Sequence, residues 1–297
     1  MSDLGSFDIS DCTTDVPLVF SNNNSLLSLV KKEASINGVL YWNKVVEITD
    51  LYCCASGLSS LLGIQYVTNL TSLNISGTTV ADFSLLSVCV NLKKLFLRNT
   101  CITDLEPISK LPRLEILNLI ATPVSDVSPL QNCKELKVLM LDQTKLTSIE
   151  PLSSCCSLEV LSLNVTDVSD LSPLSGCLEL RELHLIDSFV EDIHPLSSCI
   201  NLTSVYLKNT LVGDISPLTN CSKLIQLDLR GCVKVSSLGP LSHCLNLKSL
   251  DIRDTLVSTT SVSSLSSCIN LEYLYLDQRI TDLSFLNGLS KLKEICR

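Results

Sequence analysis

The chain has 297 residues, 45% of them hydrophobic and only 4% aromatic, and carries a net charge of −9. That acidic balance argues against a nucleic-acid or anionic-membrane partner, because neutralising phosphates needs a basic face. No apolar run is long enough to cross a bilayer, and the start, MSDLGSFDISDC, lacks the basic and apolar regions of a secretory signal.

Residues 1–42 stand outside any repeat and are expected to cap the N-terminal end of the fold. Ser25 followed by LLSLVKKEAS predicts a short amphipathic helix, and Asn37-Gly38 predicts a tight turn. Trp42, the only tryptophan, sits where this cap meets the next segment and is expected to cover the open core. Residues 43–69 read as a degenerate first repeat, with VVEI at its start and CCASGLSSLLGIQYV leading into Leu70.

From residue 70 to residue 297 a single unit recurs. Cys133, Cys155, Cys177, Cys199 and Cys221 are spaced 22 residues apart, Cys89 lies two intervals upstream, and Cys244 and Cys268 continue the column with small slips. Eight of the fifteen cysteines thus occupy one position of a repeat. A period of this length is the mark of a solenoid. One copy, LEVLSLNVTDVSDLSPLSGC, opens with Leu158, Leu161 and Leu163, and the same leucines recur as Leu92, Leu95, Leu97 and as Leu114, Leu117, Leu119. The L-x-L pair alternates with period two and predicts a short strand with both leucines on one face. The chain left in each unit is too short for a full helix, so the return segment is expected to be extended or 3₁₀. Ser-Pro opens it at Ser128, Ser172 and Ser216, with Ser expected to cap the turn and Pro to suit its first position. The repeats are irregular from about residue 230: GCVKVSSLGP carries one extra residue and LVSTTSVSSL two.

These residues resemble a leucine-rich repeat, most closely the 22-residue internalin type, over roughly residues 70–295. The resemblance implies a mostly β solenoid of the α/β type: a right-handed coil with one curved parallel sheet and extended or 3₁₀ return segments. Two departures are systematic. The family's Asn ladder is replaced by Thr100, Thr122, Thr144, Thr166, Ser188 and Thr210, and one Leu column is replaced by Cys. The threonine hydroxyls are expected to bond nearby backbone.

The Cys column takes the place of inward-facing leucines, where thiols act as small buried hydrophobes. Aligned thiols are at home in a reducing compartment, so the expected location is cytoplasmic. Sequons at Asn23, Asn69, Asn74, Asn164, Asn201 and Asn220 read as by-products of the repeat.

Searching for chemistry gives little. No Gly-rich phosphate loop and no CxxC occur, and the vicinal Cys53-Cys54 and Cys155-Cys156 pairs are badly spaced for zinc. Asp82, Asp104, Asp126, Asp170, Asp192 and Asp214 hold one turn position per repeat and are expected to bond local backbone. His194 and His243 fall on return segments, and His184 on the strand face away from the core. No enzymatic activity, metal or cofactor is expected.

The informative surface is the sheet face away from the core, expected to be concave. Its middle turns present Ile116, Ile120, Val138, Met140, Val160 and Ile186 beside Phe96. Its later turns place Lys208, Arg230 and Arg253 beside Asp228, Asp251, Tyr206 and Tyr275, with His184 and Tyr273 in the same columns. An apolar centre flanked by Tyr and Arg has the composition of a protein-binding patch. The candidate contact residues are Phe96, Ile116, Val138, Met140, His184, Tyr206, Arg230, Arg253, Tyr273 and Tyr275. The basic row could instead hold an acidic ligand, or form a self-neutralising ladder with its aspartates. The expected function is a scaffold-like interaction module for a protein or peptide partner, with no nucleic acid and no membrane insertion, monomeric unless the C-terminal edge pairs. The alternatives are a secreted or surface adhesin or effector of internalin type, or a regulatory or targeting subunit of an enzyme such as a phosphatase.

Overall fold

The computed structural model describes residues 42–55 and 57–297, together with Leu26 and Val30. Those two residues, one helical turn apart, are helical and fully buried, as the amphipathic pattern after Ser25 requires. The rest of the expected cap, the Asn37-Gly38 turn and the Trp42 side chain lie outside the described residues. A short α-helix, Trp42–Val45, leads into the repeats.

Twelve strands occur among the described residues, β1–β12 in order: Asp50–Tyr52, Ser72–Asn74, Lys94–Phe96, Ile116–Asn118, Val138–Met140, Val160–Ser162, Glu182–His184, Ser204–Tyr206, Gln226–Asp228, Ser249–Asp251, Tyr273–Tyr275 and Glu294–Cys296. They pair in parallel and in chain order as one sheet. Like residues stack: Leu95 lies beside Leu73 and Leu117, and Leu117 beside Leu139. Each strand centres on the first leucine of its pair. The second follows the strand but still bonds the next turn, as Leu97 N does to Asn118 O at 2.8 Å.

The period slips leave the sheet untouched. Leu227 pairs with Leu250 and Leu250 with Leu274, in step. The extra residues of LVSTTSVSSL lengthen the return helix to Ser261–Ser267, seven residues where the preceding Gly239–His243 has five. Length variation is absorbed on the side away from the sheet, where the chain is least constrained.

The return segments are 3₁₀ helices, Ser128–Asn132, Ser172–Gly176 and Ser216–Asn220 among them, each with Pro near its start. The cap differs from the sequence expectation. Ser does not provide it; the preceding Asp does. Asp126, Asp170 and Asp214 each accept the backbone N–H two residues on at 2.8 Å, and the Ser hydroxyl donates to the same carboxylate. A carboxylate accepts two donors more favourably than a hydroxyl can, which explains the substitution of roles.

These bonds hold the carboxyls of Asp126, Asp170 and Asp214 below their ordinary range; the Ser128 hydroxyl leads at Asp126 and the Ser backbone N–H leads at the other two. A depressed folded-state pKa contributes stability above the unfolded value, about 3.9, that is lost as pH falls through the folded value. The melting temperature should therefore drop on acidification below about pH 4. In the Asp126→Asn/Asp170→Asn/Asp214→Asn variant that acid slope should be shallower, measured by thermal melts between neutral and strongly acidic buffer.

The inner turns bury the same set, while in the last turn Leu283, Leu286 and Leu292 are only partly buried. In one turn Leu136, Leu139, Leu141, Leu146, Ile149, Leu152 and Cys155 are all at most 1% exposed. The eight column cysteines are all buried. From Cys133 onward their thiols point at carbonyls of the preceding turn, as Cys155 Sγ to Leu130 O at 3.5 Å, Cys199 Sγ to Cys177 O at 3.6 Å and Cys268 Sγ to Leu241 O at 3.4 Å, whereas Cys89 Sγ meets Leu85 O of its own turn at 3.7 Å. The ladder hydroxyls bond within their own turn. Thr100, Thr122, Thr144, Thr166, Ser188 and Thr210 each donate to the carbonyl three residues back at 2.7 Å.

Just before each ladder residue the backbone turns left-handed, at Asn99, Ala121, Gln143, Val165, Asp187, Asn209, Gly231 and Asp254. Gly231 has a second reason to be glycine, because a Cβ there would meet the Asn209 side chain at 2.1 Å. Val165, with φ of 56°, is the misfit, since a β-branched residue is strained in this region. Val165→Asn, matching Asn99 and Asn209, should stabilise the chain by about 1 kcal/mol in urea melts.

Candidate protein-binding face

The first and third residues of every strand face away from the core, so twelve turns build a continuous side-chain surface. Of the sequence-expected contact residues, Arg230 and Arg253 lie two residues past β9 and β10 and the others occupy these strand positions; together they form three unlike zones.

The first zone spans β3 to β6. Phe96, Ile116, Val138, Met140 and Val160 are half-buried, as is Ile120 beyond β4. The expectation that they stand exposed is corrected: neighbouring turns are close enough that β-branched side chains shield one another. Met140 is further held by Asn118, whose amide donates to its Sδ at 3.4 Å and whose Oδ1 accepts the Ile120 N–H at 3.0 Å. The same capping is done by Asn74 for Ser76, Asp228 for Arg230 and Asp251 for Arg253. These Asn and Asp residues are therefore committed to the backbone after each strand. Asn164 is committed likewise: its Oδ1 accepts the Ile186 N–H at 2.8 Å and its amide donates to Ser162. Asn201 donates to Leu178 O at 2.9 Å and Asn69 to Val46 O at 2.8 Å.

The second zone is an ordered aromatic pair across β7 and β8. His184 and Tyr206 stack with ring centroids 4.5 Å apart and planes 17° from parallel. Gln226 on β9 accepts the Tyr206 hydroxyl at 2.5 Å, and Glu182 lies 3.8 Å from His184 Nε2. Burial raises the Tyr206 pKa, so the phenol stays protonated and acts as a donor. The pair spans two adjacent turns and is tied to a third through Gln226, which lowers the ordering cost of any contact made through it.

The third zone, β9 to β12, is internally neutralised. Arg253 grips Asp251 through two nitrogens, 2.5 Å and 3.0 Å, and its guanidinium lies 4.9 Å from the Tyr275 ring centroid. Arg230 reaches Asp254 at 3.4 Å. Arg279 pairs with Asp277 at 2.8 Å, and its side chain holds that carboxyl well below the ordinary range. Asp228 goes the other way: burial pushes its carboxyl up, against the Arg230 N–H that it accepts. Of the two open readings for the basic row, the pairings of Arg230 and Arg253 fit the self-neutralising ladder. Tyr273 is the most exposed of the candidates, at 36%, with Lys293 at 5.7 Å from its ring centroid.

Sequence reasoning missed a different apolar feature. The large exposed apolar residues lie beside the sheet face: Phe189, Leu211, Val233 and Leu256 follow the ladder position in four successive turns, and Leu178, Ile200, Leu245 and Ile269 follow the Cys column. The signal was present in the repeat alignment, as an apolar residue directly after a buried one at a turn. Among the described residues no group of three possible metal ligands occurs, and no helix is long and apolar enough to cross a membrane.

Comparison with known proteins places this architecture. A family model for leucine-rich repeats in two copies matches residues 90–132. A search of curated proteins gives no match. Among solved structures, internalin InlF from Listeria monocytogenes is 23% identical, with a TM-score of 0.72 over 95% of this chain and 97% of its own. The functional domain of InlJ from the same organism, which includes a cysteine ladder, is 19% identical, with a TM-score of 0.51 over 94% of this chain and 75% of its own. Internalin C2 from Listeria monocytogenes is 30% identical, with a TM-score of 0.69 over 73% of this chain and 98% of its own. With its parallel sheet of one strand per turn and its 3₁₀ returns, the chain belongs to the leucine-rich-repeat family, of the internalin-like type, with Cys in one Leu column and Thr in the Asn ladder.

Proposed function

We propose that the protein is a non-enzymatic interaction module that docks a protein or peptide partner on the open face of its sheet. The observation that carries this reading is the fixed His184–Tyr206 stack beside the half-buried apolar strip from Phe96 to Val160. Aromatic anchors whose rotamers are already set, next to apolar surface, are what binding hot spots are made of. The family's fold, used for protein–protein interaction, supports the reading. Phe96, Ile116, Val138, Met140, His184 and Tyr206 supply the anchors, Tyr273 and Tyr275 extend the face, and Arg230 and Arg253 act mainly through their paired aspartates.

The test is capture of a partner by wild type against a Phe96→Ala/Met140→Asp variant. Truncating a central anchor costs about 2 kcal/mol or more of binding. Capture should be lost while the melting temperature barely changes, since neither side chain belongs to the core. Survival of binding in this variant would move the site elsewhere.

A cytoplasmic setting is part of the proposal, supported by the column of buried free thiols. The second reading, a secreted or surface adhesin or effector, is favoured by the 30% identity to internalin C2. Fractionation of the expressing cells separates the two.

A further inference from the structure

From β3 to β12 the residue just before each strand forms a column along the strand-start edge of the sheet: Lys93, Glu115, Lys137, Glu159, Arg181, Thr203, Ile225, Lys248, Glu272 and Lys293. Its charges alternate, and neighbouring turns pair. Glu115 lies 3.2 Å from Lys93 and 3.0 Å from Lys137, Glu159 lies 3.4 Å from Arg181, and Glu272 lies 2.5 Å from Lys293. The column is uncharged at Thr49 and Thr71, before β1 and β2, and between charged neighbours it breaks only at Thr203 and Ile225. Lys248, at the far side of the break, has the loosest pairing of the column, 3.7 Å to Glu272.

At this break lies a groove of about 350 Å³ lined by Thr203, Lys223, Ile225, Asn246, Lys248 and Asn270. Ile225, 36% exposed, lines it, and Leu245 and Ile269, 51% and 56% exposed, directly precede the lining residues Asn246 and Asn270 in sequence. In a chain of net charge −9, the strand-start segments here, INLT, SKLI and LNLK, contain two lysines and no acid; the next segment, INLE, brings Glu272, which pairs more closely with Lys293 than with Lys248. The backbone is already satisfied, since Ile225 N bonds Thr203 O and Lys248 N bonds Ile225 O, so strand addition is not available. Recognition must run through side chains.

We infer that this groove is a second docking site, for an extended peptide segment that alternates apolar side chains with carboxylates. Apolar side chains would cover the exposed aliphatic residues and carboxylates would meet Lys223 and Lys248, completing the interrupted ladder in trans. Lys223 donates to Asn201 Oδ1 at 2.6 Å, and its ammonium keeps further donors for a carboxylate. This site is separate from the open sheet face and goes beyond the function proposed above.

The test selects binders from a random-peptide display library on the full chain and measures them by fluorescence anisotropy. The expected binders are rich in Asp or Glu beside Leu, Ile or Phe. Ile225→Glu and Lys223→Glu should each weaken them about tenfold or more, with affinity falling as salt rises. Both residues lie outside the core, and a melting temperature matching wild type shows that each variant folds; Lys248→Gln serves in place of one whose melt does not match. Phe96→Ala/Met140→Asp should leave these binders unaffected. The inference is overturned if no peptide is recovered, if the binders are basic or neutral, or if the groove variants bind equally well. It is also overturned if the Phe96/Met140 variant loses them, which would return the binders to the sheet face. Vesicles of phosphatidylcholine with phosphatidylserine should show no Ile225-dependent binding; such binding would make the groove a membrane contact instead.

Discussion

Replacing Leu161 by Ala should lower the unfolding free energy by about 2–5 kcal/mol. Leu161 is fully buried and stacks between Leu139 and Leu183 on the flanking strands. Removing its outer carbons leaves a cavity walled by two turns that cannot close, because the leucine columns fix the spacing on both sides. In a solenoid each turn contacts only its neighbours, so a weak interface in the middle also threatens cooperativity. Urea denaturation reads both effects. A lower midpoint with an unchanged slope reports lost stability, and a shallower slope reports halves that melt apart. A loss well under 1 kcal/mol would mean that the stacked leucines do not form the core described here.

The thiols carry the second large effect. Burial pushes the pKa of Cys133 and Cys177 up to about 12 and that of Cys199 and Cys221 up to about 11. At pH 8 their thiolate fraction is on the order of 10⁻⁴ to 10⁻³, and the thiolate is the reactive form. A maleimide reagent should label the exposed Cys54, Cys101 and Cys156 within the mixing period and reach the column only when the chain unfolds. Because these folded-state values are raised, the column's contribution to stability is present below the unfolded value, about 8.5, and is lost as pH rises through about 11. Cys177→Ser should cost about 1–3 kcal/mol. The Cys177 thiol sits 3.8 Å from Cys155 O, and a hydroxyl on a shorter bond would be left without a close partner. Rapid labelling of the column in the folded chain would contradict its burial.

What the sequence made legible follows from repetition. A position that recurs in turn after turn meets the same surroundings in each, so Cys133 and Cys221, or Leu95 and Leu183, could be read as a set. The Asp126 and Asp170 columns were legible for the same reason, and they do bond local backbone. The Ser128 cap was misread because Ser and Asp are both good cap formers, and only the geometry shows which side chain reaches the free N–H. The strip from Ile116 to Val160 was placed on the correct face but given too much exposure, since mutual shielding between turns has no signature in one strand. The pairing of Arg230 with Asp254 joins unlike positions of neighbouring turns, two and three residues past their strands, and a reading of single columns does not supply such a diagonal contact. The broken charge column at Thr203 and Ile225 was visible as a pattern, yet it gained meaning only when the exposed aliphatic residues around it came together.

The central claim is that the open sheet face is the working surface. Hydroxyl-radical footprinting of the protein alone and bound to its captured partner tests this most directly, because Met, Phe, Tyr and His side chains report strongly. The account predicts protection at Phe96, Met140, His184 and Tyr206, with Phe189 and the return-side His194 unchanged. Protection confined to the return helices or to Phe189 and the exposed apolar residues after the ladder position, with Met140 and Tyr206 as reactive as in the free protein, would contradict it.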